Sequence, residues 1–149
     1  METATRPYAF SRKVFCEGMR DGVPIALGYF AVSFSLGIAA RKAGLTPVQG
    51  FFASLLNNAS AGEYAAFALI ASGATYLEVA IITLIANARY LLMSCALAQR
   101  FAPGTPFFHR LIIGYDVTDE LFGITIARPG WLNPFYTYGA IALAAPAWA

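Results

Sequence analysis

A single arginine, Arg89, lies in the middle of an almost wholly apolar stretch that runs from Thr83 to Leu97. An arginine at the centre of a membrane helix costs about 2.5–3.5 kcal/mol on insertion scales. In a helix over residues 77–98, Arg89 would lie roughly 15 Å from either end. That distance is too long for the guanidinium to reach water comfortably. We therefore expect Arg89 to have polar or acidic partners inside the protein.

Four carboxyl groups in apolar surroundings are candidates for that partnership: Glu63, Asp116, Asp119 and Glu120. With four acids to one deep arginine, either some of the acids are protonated or a cation enters among them. Ionisable residues at membrane depth usually mark a path for an ion, a proton or a substrate. On a continuous helix Asp116 and Glu120 would face one way, because they are four residues apart. We predict proton or ion coupling for Asp116, Asp119 and Glu120.

A polar segment, Asn57–Glu63, interrupts the apolar stretch 48–72. Non-helical backbone at membrane depth is tolerated only where protein buries it or water reaches it. The segment therefore predicts an interrupted or re-entrant helix whose amide and backbone groups bind the polar end of a substrate. From this segment we predict Asn57, Asn58 and Glu63 as substrate-binding residues.

Asn87 and Arg89 complete the predicted substrate-binding set. Arg89 offers a fork of donors suited to a carboxylate. Asn87 lies about 160° around the helix from it. The two side chains could reach one small ligand only if the helix were locally broken, so Asn87 is the weaker candidate.

The elements that position these residues must be membrane helices. Hydrophobic residues make up 58% of the 149-residue chain and charged residues 12%, whereas soluble domains average roughly 25% charged residues. Uncharged runs cover residues 22–40, 43–62 and 129–149, and a membrane span needs about 20 apolar residues. The alternation of a β-barrel is absent, and a net charge of +2 gives no basic stripe for nucleic acid. The composition predicts an all-α, polytopic integral membrane helical bundle.

The predicted organisation is a cytoplasmic lead-in followed by five hydrophobic segments. The lead-in covers 1–21, and the segments cover 22–40, 48–72 (broken), 77–98, 111–127 and 132–149 (incomplete). If 48–72 crosses the membrane once, five Lys and Arg residues lie inside and four outside; if it enters and returns, the counts are six and three. Because positive residues favour the inside, the count leans towards a re-entrant hairpin and leaves a single crossing open.

Catalytic chemistry has little support in the sequence. His109 is the sole histidine, and Cys16 and Cys95 have no metal-binding or redox spacing. A metal hydrolase or a nucleophilic triad would need partners that the sequence does not supply. We expect no enzyme activity, no metal and no cofactor.

Several blocks of the chain, taken in order, resemble the AzlC family of branched-chain amino acid exporters. They cover nearly everything after residue 20: Asp21–Tyr29, Ala59–Tyr64, Asn87–Ser94, Val117–Glu120 and Leu132–Gly139. Many members of the family have glutamine where this chain has Glu63, which puts proton or substrate handling there in question. Family members also extend well beyond 149 residues, so the resemblance implies a chain shortened at its C-terminus.

The resemblance implies a secondary transporter in the bacterial inner membrane that moves branched-chain amino acids such as valine or leucine out of the cell. It also implies a small partner membrane subunit of the AzlD type. In this role Asp119 or Glu120 would face the substrate ammonium group or carry a proton. Two rivals remain open: a channel, and a structural membrane subunit in which Arg89 only ties helices to acidic neighbours.

Overall fold

A computed structural model describes residues 8–149. This part of the chain is helical, with one isolated β-bridge between Phe101 and Leu132, so the predicted all-α class is confirmed. The seven helices are α1 (Arg12–Lys42), α2 (Pro47–Asn57), α3 (Ser60–Ala71), α4 (Tyr76–Ala98), α5 (Phe107–Tyr115), α6 (Asp119–Ile126) and α7 (Pro134–Trp148).

Two of these helices, α1 and α4, are long and apolar enough to cross a membrane. At 1.5 Å per residue the 23 residues of α4 span about 34 Å, slightly more than the roughly 30 Å of bilayer hydrocarbon. Their surfaces carry large exposed apolar side chains, including Phe34 at 70% and Leu92 at 75% exposure. Such surfaces suit contact with lipid.

Helix α1 begins at Arg12, ten residues before the span predicted from residue 22. The segment from Arg12 to Asp21 is therefore part of one long helix, where the sequence predicts a separate lead-in. Its charged residues stop the hydrophobic run but do not break the helix, because no proline or turn signal lies between Arg12 and Val23. The cytoplasmic side of this end stays a prediction.

The described residues divide into two compact units. The first unit contains the described residues up to Ile25 together with Tyr90–Ala144, and the second contains Ala26–Arg89 and Ala145–Ala149.

In the second unit the predicted interruption around Asn57–Glu63 is confirmed. Helix α2 starts after a capping box of Thr46 and Gln49 and ends at Asn57. The C-cap residue, Asn58, has a left-handed backbone with φ of 41°. Ala59 is extended, and α3 starts at Ser60. Asparagine accepts the left-handed conformation more readily than most residues, so the sequence permits the chain to turn here.

Helices α2 and α3 turn back on each other. The Ser54 hydroxyl of α2 donates a hydrogen bond to the Glu63 carboxyl of α3. In one continuous helix these two residues would be about 13 Å apart along the axis. The pair therefore forms a helical hairpin, with α2 and α3 each about half as long as a membrane span.

In the first unit the segment predicted as one helix over 111–127 is two helices. Helix α5 ends at Tyr115, and α6 starts at Asp119 after Thr118, whose side chain accepts a hydrogen bond from the Leu121 amide. Threonine favours the N-cap position over a helix interior, which explains the break. Asp116 therefore lies outside α6. The prediction that Asp116 and Glu120 face one way on a single continuous helix is wrong.

Helices α5 and α6 also form a hairpin, whose two outer ends are joined to the C-terminal end of α4 by hydrogen bonds from Arg110 and Arg100. Arg110, in the first turn of α5, donates to the Ala98 carbonyl at 3.1 Å. Arg100 donates to the Ile126 carbonyl at 2.9 Å and the Gly130 carbonyl at 3.0 Å, just after α6. The start of α5 and the end of α6 thus both lie beside the end of α4.

The order of a long helix followed by a broken hairpin occurs twice, as α1–α3 and as α4–α6. Each hairpin begins with a Thr-Pro pair, Thr46-Pro47 or Thr105-Pro106. Each is also flanked by glycines with positive φ: Gly44 at 85° and Gly73 at 77°, then Gly104 at 83° and Gly130 at 71°. The chain therefore carries an internal structural repeat of about 60 residues, and internal repeats are common in membrane transporters.

Candidate functional site

A groove of about 580 Å³ lies along the α2–α3 hairpin and α4, within the second unit. Its wall is mostly aliphatic and aromatic, with Leu56, Phe67, Ile70 and Leu84 among the lining residues. Its polar side chains include Asn57, Glu63, Thr83 and Asn87. Such a mixture of apolar wall and few polar groups is typical of a small-molecule site.

The two groove asparagines are joined to each other. Asn87 Nδ2 donates to Asn57 Oδ1 at 2.8 Å, so the end of α2 is tied to the middle of α4. Gly62 lies directly against the Asn87 amide, and a Cβ atom at position 62 would collide with it. A glycine is needed at this point because the α3 backbone and the Asn87 side chain occupy adjoining space.

Glu63 is the most buried polar residue of the groove, at 1% exposure. One of its carboxyl oxygens, Oε1, accepts the hydrogen bond from Ser54. Its other oxygen, Oε2, has no hydrogen-bond partner within residues 8–149. The indole of Trp148 lies beside the carboxyl without a well-formed hydrogen bond to it.

Two more buried oxygens of the groove lack a hydrogen-bond partner in the described part of the chain: Thr83 Oγ1 and Asn87 Oδ1. Buried polar groups are nearly always bonded to protein or water, and each exception needs an explanation. Three unpartnered acceptors in one groove indicate a place where a ligand with several hydrogen-bond donors would bind.

The other two predicted substrate-binding residues lie elsewhere in the second unit. Asn58 is the left-handed residue of the hairpin turn. Arg89 is exposed and is not among the lining residues of the groove, because it lies about 160° around α4 from Asn87. Of the two α4 candidates, the groove contains Asn87, which the sequence ranks lower.

The three predicted coupling residues belong to the first unit. Asp116 forms the C-terminal end of α5, and Asp119 and Glu120 occupy the first turn of α6. The helix dipole stabilises acidic side chains in a first turn, which is where Asp119 and Glu120 lie. They cluster at the break of the second hairpin, as Asn57 and Glu63 do at the break of the first.

Sequence reasoning missed Ser54 and Thr83. Thr83 precedes Asn87 by four residues, which places both on one face of α4, so the spacing could have revealed it. Ser54 is nine residues from Glu63, and no local pattern links them. Only the turn between α2 and α3 brings them together.

A second groove of about 630 Å³, also within the second unit, lies between the C-terminal half of α1, α2 and the end of α7. Arg41 and Lys42 lie among its lining residues, and Ser54 and Trp148 line another part. Phe67 lines both grooves. The α2–α3 hairpin therefore separates two cavities.

The amino-acid sequence of the chain is similar to those of known membrane proteins. Residues 24–149 match the family model described as AzlC protein. The chain is 27% identical over 128 residues to the inner membrane protein YgaZ of Escherichia coli strain K12, covering 86% of this chain and 52% of that protein. It is 29% identical over 113 residues to a membrane protein of Archaeoglobus fulgidus, covering 76% of this chain and 49% of the relative.

The chain thus spans about half the length of the curated relatives that it matches. No solved structure matches it significantly. The family match covers both hairpins and most of the described chain. The chain is a membrane protein and belongs to the AzlC protein family.

Proposed function

We propose that this chain is part of a secondary transporter that exports branched-chain amino acids across the bacterial inner membrane. The observation that carries the proposal is the set of unpartnered buried oxygens of Glu63, Thr83 and Asn87 in an apolar-walled groove. A zwitterion with an aliphatic side chain has the complementary chemistry. Broken helices that offer polar groups at membrane depth are the usual substrate sites of such transporters.

We assign coupling to protons or another ion to the second hairpin, α5–α6. Asp116, Asp119 and Glu120 lie at its break, and carboxyl groups at membrane depth suit proton transfer. Arg89 lies outside the groove lining, on the opposite face of α4 from Asn87. Its proposed role is therefore to hold an acidic side chain in place between transport cycles. The partner of the chain would be a small membrane subunit of the AzlD type. Membership of the AzlC family supports this partner.

The α2–α3 hairpin would enter the membrane and return to the same side. We expect cysteines placed at Ala43 and Ala74, on either side of the hairpin, to react with an impermeant maleimide from the same face of the membrane. Cys16 and Cys95 are exposed and must first be replaced by serine. Reaction from opposite faces, measured in intact and lysed cells, would show instead that the segment crosses the membrane once.

Export itself is tested with radiolabelled valine in cells and in proteoliposomes, with and without a pH gradient. A coupled transporter accumulates valine against its concentration gradient when the pH gradient is imposed. A channel only equilibrates valine, and a purely structural subunit moves none. Failure of the protein to move any branched-chain amino acid, with its partner subunit present, would refute the proposal.

Arg89→Gln is expected to lower valine export at least about tenfold, because the charged donors that hold an acidic side chain are lost while the side-chain length is nearly kept. Arg20→Gln, at an exposed position of α1, is the matched control and should export at the wild-type rate. Unchanged export by the Arg89 variant at normal protein level would remove Arg89 from the mechanism.

A further inference from the structure

We propose that Glu63 Oε2, Asn87 Oδ1 and Thr83 Oγ1 together bind the α-ammonium group of the substrate, with its aliphatic side chain on the apolar wall of the groove. This inference rests on the proposed function and deepens it. It assigns the ammonium group to the first hairpin and α4, where the sequence favours Asp119 or Glu120. It also adds Thr83, which has no role in the sequence prediction.

The number and kind of unpartnered atoms fit an ammonium group. An ammonium group has three N–H donors and no acceptor. The groove offers three buried oxygens that lack partners within residues 8–149, and one of them belongs to a carboxyl group. A neutral hydroxyl or a carbonyl at the same place would leave at least one buried oxygen unbonded, which is costly.

The charge of the groove points the same way. Glu63 is the one acidic side chain among its lining residues, and no lysine or arginine lines it. A site for the substrate carboxylate would need several donors. Of the three unpartnered atoms, the carboxyl and amide oxygens accept hydrogen bonds, and only the Thr83 hydroxyl can also donate one. The groove therefore selects the cationic end of a zwitterion.

Two of the three acceptors, on Glu63 and Asn87, are held in place by hydrogen bonds to neighbouring side chains. Ser54 binds the other oxygen of the Glu63 carboxyl, so rotation of that carboxyl is restricted. The Asn57 side chain accepts from Asn87 Nδ2 at 2.8 Å, which leaves Asn87 Oδ1 as the free end of the amide. Thr83 is one helical turn before Asn87, on the same face of α4. This pre-organisation lowers the cost of binding.

The apolar wall beside these acceptors would contact the aliphatic side chain of the ligand. Leu56, Ile70, Val79 and Leu84 are among its apolar members. A groove of about 580 Å³ lies within the roughly 300–1,000 Å³ of ligand sites and accommodates a branched aliphatic side chain. An inorganic cation would use the oxygens but not this wall.

The test measures binding by the purified full chain with three related ligands: L-valine, its hydroxy acid analogue 2-hydroxyisovalerate, and isobutylamine, which lacks the carboxylate. The wild type should bind valine at least about tenfold more tightly than the hydroxy acid, because only valine has the ammonium group. Isobutylamine should compete with valine.

Glu63→Gln keeps the size of the side chain and removes its charge. We expect valine binding to weaken about tenfold or more, and the preference for valine over the hydroxy acid to fall to about twofold or less. Thr83→Val, of equal size without the hydroxyl, should weaken valine binding by about three- to tenfold. Glu78→Gln, on α4 but outside the groove lining, should bind both ligands as the wild type does.

The outcomes separate this inference from the proposed function. If the folded wild type binds no branched-chain amino acid, the proposed function fails together with its substrate. If the wild type binds valine, and Glu63→Gln and Thr83→Val bind it equally well, the ammonium site is overturned and the transporter stands. A third outcome would also overturn the inference: Na⁺ alone protects the wild type against unfolding but does not protect Glu63→Gln, while Glu63→Gln binds valine as the wild type does. In that case the oxygens bind an inorganic cation. Should Glu63→Gln not fold, Thr83→Val alone decides: about three- to tenfold weaker valine binding supports the ammonium site, and unchanged binding overturns it.

Discussion

Leucine in place of Gly18 is expected to abolish folding of the first unit. A Cβ atom at Gly18 would overlap the Tyr136 carbonyl oxygen of α7, and one at Gly139 would overlap the Phe15 carbonyl oxygen of α1. The two helices therefore cross with their backbones in contact, as small residues allow in membrane proteins. The obstacle is backbone, which cannot rotate away, so the cost should exceed the roughly 1–3 kcal/mol of ordinary overpacking.

The same helix supplies the control for this prediction. Gly28 lies further along α1, and a Cβ atom there would meet nothing within 4 Å. Gly28→Leu should give a monodisperse protein with a Tm close to the wild-type value, whereas Gly18→Leu should aggregate in size-exclusion chromatography. Gly18→Ala is the milder version and should lower the Tm by several degrees. A folded Gly18→Leu protein with unchanged Tm would contradict the close crossing of α1 and α7.

Alanine in place of Gly62 is expected to leave the protein folded and to reduce valine export at least about tenfold. The added Cβ would collide with the Asn87 amide, and a side-chain amide can move away where a backbone carbonyl cannot. Its displacement would break the hydrogen bond between Asn87 and Asn57 and shift an acceptor of the proposed ammonium site. A shift of about 1 Å in a positioning group can cost about a hundredfold in rate in an enzyme, so a tenfold loss is a modest expectation for transport.

Gly50→Ala is the matched control for Gly62→Ala. It lies in α2 of the same hairpin, and its Cβ would meet only the Ala40 Cβ at 3.5 Å, an ordinary contact. We expect wild-type export from Gly50→Ala and a Tm change of no more than about two degrees. If the two alanine variants export valine equally, the position of Asn87 does not matter for transport.

The contrast between Gly18 and Gly28 shows where sequence reasoning about glycine stops. All glycines of α1 look alike in the sequence, as small residues on an apolar helix. Gly18 and Gly22 meet the backbone of α7, while Gly28 and Gly37 meet nothing within 4 Å. The difference depends on which face of α1 meets α7 within the first unit, and residues more than a hundred positions apart decide it.

The sequence by itself determined the membrane environment, the all-α fold and the interruption at Asn57–Glu63, because these depend on composition and on local chemistry. Too few charged residues for a water-exposed surface exclude a soluble domain, and a run of small polar residues weakens a helix wherever it occurs. These signals act over a few residues, so they can be read along the chain.

The tertiary structure alone decided which polar residues share a site. Arg89 has the strongest argument from its depth in the apolar sequence, yet the groove contains Asn87, because the orientation of α4 against the hairpin selects that face. The partnership of Ser54 with Glu63 and the break between Asp116 and Asp119 depend equally on how each hairpin turns. Hydrogen bonds and close packing act through space within a few ångströms, and the order of residues does not record which turns bring them within that range.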